Sequence, residues 1–274
     1  MTDTQWDSER LDLASYLARL GIDEPTEPNA SALRALHRAH VAAIPFENVE
    51  IALGRPISVD LDDIQDKLVH RRRGGYCMEH TPLFAAVLER LGYSVTGLGG
   101  RVLMGTNKIR PATHALLRVD LEDGPWLADV GFGGQGLLEP IPIVDGTEVD
   151  QGGWVFRLDT DEAGTWMFRT RHPEGGFNLY SFTLEPRYLV DYVVANHYTS
   201  THPRSPFVNR LMAQRTEPGV RHRLMGTEFA TVRTKSNNQT RTLPAEELPD
   251  TLRKVFGIAL DPTDEQALVE QYSA

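Results

Sequence analysis

The sequence predicts an α+β fold in which helical and strand-rich stretches follow one another along the chain. Three observations lead there. The first ninety or so residues carry apolar positions at helical spacing. Residues 94 to 185 carry short alternating runs broken by Gly, Pro and Asp, and from about residue 186 the two patterns mix.

Leu11, Leu13, Tyr16, Leu17 and Leu20 recur on one helical face, and Gly21 closes that segment. Ser31 precedes "ALRALHRAHVAA", where Leu33, Leu36, His40 and Val41 form a second stripe that Pro45 ends. In "SVDLDDIQDKLV", Ser58 or Asp60 is the expected cap, with Leu61, Ile64 and Leu68 as the buried face. A further helix is predicted in "MEHTPLFAAVLERLGY", with Leu83, Phe84, Val87, Leu88 and Leu91 on one side and Gly92 at its end. The strand-like runs are "SVTGLGGRVLM", "THALLRVDL", "PWLADVGFG", "GWVFRLDT" and "TWMFRTR", a spacing that suits antiparallel sheet or a barrel. "EDGP" at 122 to 125 marks a turn between two of them. Beyond them, "RYLVDYVVANHY" reads as a short helix leading into the loop "TSTHPRSPF". Strand-like segments follow, and the last helices begin near "PAEELPDTLRKVF" and "DPTDEQALVEQY". No repeat, low-complexity tract or clear linker interrupts the 274 residues, so the regions are expected to pack as one unit.

Composition narrows the function. Apolar residues make up 41% and charged residues 24%, as in a soluble globular protein with a real core. The formal charge of −10 argues against a general nucleic-acid role. A single cysteine excludes an internal disulfide and any multi-cysteine zinc site. The acidic N-terminus lacks the apolar core of a signal peptide, and no apolar run is long enough to span a bilayer, so a cytoplasmic setting is expected.

That cysteine, Cys77, stands in "RRRGGYCMEH" between a Gly-Gly turn and a strong helix. A helix start offers unpaired N–H groups and partial positive charge, both of which favour a thiolate. His70, Arg71, Arg72 and Arg73 add positive potential if they lie near it. The bland alternative is a buried cysteine acting as a small hydrophobe. A nucleophilic thiol also needs a base and a group that orients the base. His80, one turn along the same helix, leaves little room for a substrate and reads as helix surface or packing. Metal ligation is set aside, because His37 and His40 supply only a weak further pair.

His114 suits the base better, since it opens the strand "HALLRVDL", and Asp129 stands among apolar neighbours in the next strand. A strict turn on Asp123-Gly124 would put His114 opposite Gly133 and Asp129 opposite Arg118. The two would then be out of step by roughly 13 Å at about 3.3 Å per residue. A bulge, or a wider loop centred near Leu121, would bring them level. The alternatives are a satisfied strand-end histidine and an Asp129–Arg118 pair.

Several segments together resemble the arylamine N-acetyltransferase family. "RGGYCMEH" is similar to that family's signature around its nucleophilic cysteine, "THALLRV" to the segment bearing its histidine and "LADVGFGG" to that bearing its aspartate. "IPFENVE" at 44 to 50 and "YTSTHPRSPF" at 198 to 207 look like two further family segments, in the same order; the C-terminal third matches loosely, through "RTKSNN". The resemblance implies a helical bundle over 1–93, an antiparallel β-barrel over 94–190 and an α/β lid over 191–274, with a papain-like cysteine-enzyme core. It also implies a Cys77-His114-Asp129 triad, with a non-ideal hairpin reconciling the register.

The implied reaction is acetyl transfer from acetyl-CoA, the co-substrate, to a small aromatic amine or hydrazine through an acetyl-cysteine, with no metal or prosthetic group. Phe46, Phe132 and, less directly, Phe207 are the aromatic residues expected to meet a flat acceptor; the alternative for each is core packing. Gly131, Phe132 and Gly133, with Thr113 beside the histidine, are expected to meet the pantetheine arm. Lys235, Ser236 and Asn238 resemble the lid segment that meets the phosphates; a solvated turn is the alternative. Glu79 reads as structural, paired with an arginine such as Arg73. Three competing readings remain at this level: an amide synthase of the same family acting on a polyketide acyl group without CoA, a papain- or transglutaminase-like hydrolase, and a binding protein with an inert Cys77. Neither the physiological amine nor the oligomeric state is legible.

Overall fold

A computed structural model describes residues 5–25, 27–106, 108–172 and 175–273. The helical segment contains α1 (Leu13–Leu20), α2 (Ala30–Ala43), α3 (Val49–Ala52), α4 (Leu61–Gln65) and α5 (Cys77–Arg90). Between α2 and α3 lies a short strand, β1 (Phe46–Glu47). Gly21 ends α1 in the left-handed region, at φ 70°, where a residue without Cβ is unstrained. The cap of α2 is Asn29, whose side chain accepts from Ala32 N–H at 3.0 Å, so the helix begins before the expected Ser31. Asp60 caps α4. A π-helical turn, Asp66–His70, then carries the chain toward α5.

The strand-rich segment forms β2 (Ser94–Val102), β3 (Ala112–Leu121), β4 (Gly124–Ala128), β5 (Ile141–Pro142), β6 (Thr147–Gln151), β7 (Trp154–Thr160), β8 (Trp166–His172) and β9 (Gly175–Phe182). They build one antiparallel sheet in the order β5-β4-β3-β2-β9-β8-β7-β6, whose edge strands β5 and β6 lie against one another in a barrel-like closure. The two-residue period of β3 sorts its side chains. Leu116 enters a core with Leu98, Phe156, Phe168 and Tyr180 inside this sheet. Ala115, Leu117 and Val119 face outward and pack with Phe84, Val87 and Leu88 of α5.

Next comes α6 (Leu189–Thr201), longer than expected, and then β10 (Met212–Glu217), β11 (Val220–Met225), β12 (Glu228–Arg233) and β13 (Gln239–Thr242). The chain ends in α7 (Leu248–Thr251) and α8 (Pro262–Tyr272). The four late strands form a second antiparallel sheet, and β1 extends it: Phe46 pairs with Gln214 and Glu47 with Ala213. Leu224, Leu248, Leu252, Phe256 and Leu268 form the core beneath that sheet. No described helix is long and apolar enough to cross a membrane.

Candidate active site

The turn before Cys77 is built by close backbone approach. A Cβ on Gly74 would stand 2.1 Å from Pro45 O, and one on Gly75 would stand 2.7 Å from Glu79 Oε2. Only glycine fits either place, and Cys77 follows as the first residue of α5. Glu79 braces the turn by accepting from Tyr76 N–H at 3.2 Å and from Lys67 Nζ at 2.6 Å. Its partner is therefore Lys67 rather than Arg73. Arg73 is buried with Glu47 at 2.8 Å and Glu50 at 3.1 Å, and exposed Arg71 pairs with Asp66 at 2.8 Å. Both of these arginines are answered by carboxylates, so neither supplies uncompensated positive charge to Cys77.

His80 is buried, as packing. Its Nε2–H donates to Gly75 O at 3.1 Å and borders Pro45 O at 3.3 Å. That fixes its Nδ1 as acceptor from His40 Nε2–H at 2.8 Å, and His40 Nδ1 in turn accepts from the Tyr16 hydroxyl at 2.7 Å. Burial lowers His80 to about 4, so this chain of rings is neutral at physiological pH.

The β3–β4 hairpin pairs Leu121 with Gly124 and Leu117 with Ala128. Its two loop residues are Glu122 and Asp123, one position earlier than Asp123-Gly124, so the hairpin is regular and narrower than the loop expected near Leu121. The chain leaves the ladder after Ala128, which frees Asp129 to turn back. On the other side of β3, β2 pairs Gly100 with His114 but Arg101 with Ala112, leaving Thr113 as a bulge. A bulge re-aims its neighbours. His114 Nε2–H then donates to Asp129 Oδ2 at 2.8 Å, and the Cys77 thiol lies 3.8 Å from the bulged Thr113 carbonyl. Arg118 pairs with Asp120 at 2.8 Å instead of with Asp129.

Further bonds lock the aspartate. Its Oδ1 accepts from Gly131 N–H at 3.2 Å, and its own N–H donates to His37 Nε2 at 3.2 Å, with His37 Nδ1–H donating to Leu138 O at 3.1 Å. Burial opposes the imidazolium form of His114, yet the charge and hydrogen bond of Asp129, joined by the adjacent Cys77 sulfur, outweigh it and hold the ring up to about 10. With Nε2 committed to Asp129, Nδ1 is the ring nitrogen left for Cys77.

Cys77 and His114 open on a cleft of about 1130 Å³ that Phe46, Phe132 and Phe207 also line. Phe132 stands edge-on to His114 at 5.0 Å between ring centroids, and Phe207 lies 6.1 Å from Phe46. Thr113, Gly131 and Asn238 border the same space. Gly133 does not: a Cβ there would press on Gln214 Oε1 at 2.6 Å and on Phe46 at 3.0 Å. Lys235 and Ser236 lie on the exposed turn between β12 and β13, off the lining, and Asn238 Oδ1 accepts from Arg233 N–H at 3.0 Å. No cluster of three or more metal-ligating side chains occurs among the described residues.

A family model described as N-acetyltransferase matches residues 29–265. The chain belongs to the arylamine N-acetyltransferase family. It is 37% identical over 265 residues to the arylamine N-acetyltransferase of Mycolicibacterium smegmatis, a match covering 91% of this chain and 93% of that one. The Nocardia farcinica arylamine N-acetyltransferase structure superposes with a TM-score of 0.92 at 44% identity, covering 98% of this chain and 97% of the other. The Mycobacterium marinum family member in complex with CoA gives 0.89 at 35% identity, covering 96% and 98%.

Sequence reasoning did not place three residues that the fold brings to or beside this cleft. His37 carries Asp129 from α2, Gln214 reaches Gly134 N–H from β10, and Arg221 borders the cleft from β11. His37 and His40 are visible as HxxH, but that spacing reads as a weak metal pair until the fold brings Asp129 alongside.

Proposed function

We propose that this acetyltransferase carries an acetyl group from acetyl-CoA to arylamines and arylhydrazines by a ping-pong mechanism through Cys77. The observation that carries the reading is the arrangement at the cleft: the Cys77 sulfur against His114, and His114 bonded to buried Asp129 at 2.8 Å. Sequence relatives named arylamine N-acetyltransferase and a neighbour solved with CoA support it.

In the first half-reaction His114 Nδ1 takes the Cys77 proton, giving a thiolate beside an imidazolium that Asp129 stabilises. The thiolate attacks the thioester carbonyl. The bond from Cys77 sulfur to carbonyl carbon forms, the bond to CoA sulfur breaks, and CoA leaves as a thiol with the proton from His114. In the second, the amine attacks the acetyl-Cys77 carbonyl and His114 accepts the amine proton. The amide departs and the Cys77 thiolate returns. The N–H groups of Cys77 and Met78 at the start of α5, ahead of the Glu79 N–H that already donates to Tyr76 O at 2.9 Å, serve the oxyanion. Phe46, Phe132 and Phe207 provide a flat apolar wall for the aromatic ring. The segments 1–93, 94–190 and 191–274 act as nucleophile-bearing bundle, base-bearing barrel and lid.

Initial rates with acetyl-CoA and 4-aminobenzoate varied together test the scheme. Parallel double-reciprocal lines are expected; intersecting lines would require both substrates on the enzyme at once and would refute a free acetyl-enzyme.

A further inference from the structure

Arg221 is placed at odds with its chemistry. It lies in β11, opposite Thr216 of β10 and Val232 of β12, and borders the same cleft as Cys77. The residue is 7% exposed, and its Nε and Nη2 are buried without a hydrogen-bond partner among the described residues. The guanidinium carbon lies over the face of Trp154, 3.6 Å from the ring centroid, and Trp154 is itself fastened by Nε1–H donated to Glu217 O at 3.2 Å. Arg223, two residues along on the same cleft, is by contrast half exposed and paired with Glu228 at 3.1 Å. Directly across from Arg221, the buried Thr216 hydroxyl also lacks a partner among the described residues.

A guanidinium taken out of water without a counter-charge is costly, and the aromatic face orients its plane while satisfying none of its donors. Burial alone pushes Arg221 down to about 9. The group that would repair this is one with two or more anionic oxygens, which match the planar fork. Position agrees. Phe46 pairs with Gln214 and Gln214 with Arg223, so Arg221 stands two strands and two residues from Phe46. Strand spacing and rise make that on the order of 12 Å, room for a pantetheine arm or a substituted ring between the acyl centre and the guanidinium.

Resting on the acetyl-transfer reading, we propose that Arg221 is the receptor for an anionic oxyacid group of a molecule held in the cleft. Two sources carry that chemistry: the phosphates of the CoA donor and the carboxylate of an acidic arylamine. Calorimetric binding to the full chain separates them, using CoA, pantetheine, 4-aminobenzoate and its methyl ester as probes against wild type and Arg221→Met. At least ten-fold weaker binding of CoA with pantetheine unchanged assigns Arg221 to the donor. The same loss for 4-aminobenzoate with the ester unchanged assigns it to the acceptor. All four probes binding as in wild type overturns the proposal. Should Arg221→Met lose all four together, Arg221→Lys decides, because it keeps the charge and removes the fork. A ten-fold loss confined to a charged probe supports the receptor; all four retained or lost alike overturns it. Binding needs no turnover, so a Cys77 that fails to acetylate would refute the acetyl-transfer reading while leaving this outcome readable.

Discussion

Replacing Gly131 with alanine probes how tightly Cys77 is seated. The new Cβ would stand 2.8 Å from Cys77 Cα, 3.2 Å from Cys77 Cβ and 3.3 Å from Thr81 Oγ1. Gly131 is not among the positive-φ glycines, so alanine's own backbone preference is not at issue and the effect is steric. Carbon pairs sit best at about 3.5–4.0 Å, so the backbones of α5 and of the segment after β4 must part by about 1 Å. Overpacking of this kind costs about 1–3 kcal/mol of stability. The larger effect is on chemistry. Gly131 N–H holds Asp129 Oδ1 at 3.2 Å, so the shift moves Cys77 and Asp129 relative to each other. A misplacement of about 1 Å is worth about 100-fold in rate. The assay is kcat/KM for acetyl-CoA alongside a urea melt, with Gly176→Ala as control because nothing lies within 4 Å of its Cβ. Wild-type rate and stability for Gly131→Ala would refute the reasoning.

Asp129→Asn removes the charge that holds the His114 imidazolium; kcat is expected to fall by about 10³–10⁴, and iodoacetamide alkylation of Cys77 at pH 7 should slow in parallel. Alkylation at the wild-type rate would show that Asp129 does not sustain the charged ring. Stability should depend on pH from both sides. His37 and His80 are held neutral at about 4 by burial, so each adds stability above pH 6.5 that is lost as pH falls toward 4, roughly 3 kcal/mol apiece. His114, held up to about 10, contributes the opposite way, fully below pH 6.5 and lost as pH rises through 10. Urea midpoints should therefore peak near pH 6–7, and a midpoint still rising toward pH 4 would contradict this. Glu47→Gln leaves Arg73 buried beside a neutral amide and should cost about 3–5 kcal/mol in urea unfolding; a change under 1 kcal/mol would mean that Glu50 alone suffices.

The elements legible in the sequence are those whose periodicity is local. α1, α2, α4 and α5 announce themselves by apolar stripes, and β2, β3, β7 and β8 by alternation. β1 is two residues long, and only its pairing with β10 makes it a strand. Nothing in "IPFENVE" signals that a partner some 165 residues on will extend it. β9 opens on Gly175 and Gly176, which carry no side chains to show an alternation. At the site, Cys77, His114 and Asp129 stand out as residue types and motifs, and the family resemblance implies their meeting, but spacing alone does not give it. It depends on where a two-residue loop falls, on the Thr113 bulge and on a chain that quits its ladder at Ala128. Glu79 was legible as structural, but its partner was not: Arg73 is the nearer cation in sequence, yet the fold gives Arg73 to Glu47 and leaves Glu79 to the more distant Lys67.

The most direct test of Cys77 as acyl carrier is the intact mass of the protein after mixing with acetyl-CoA and no amine, for wild type and Cys77→Ala. The account predicts one added acetyl group on wild type alone, lost when 4-aminobenzoate or a hydrazine is supplied. An unmodified wild-type mass, or an adduct that persists in Cys77→Ala, would contradict it.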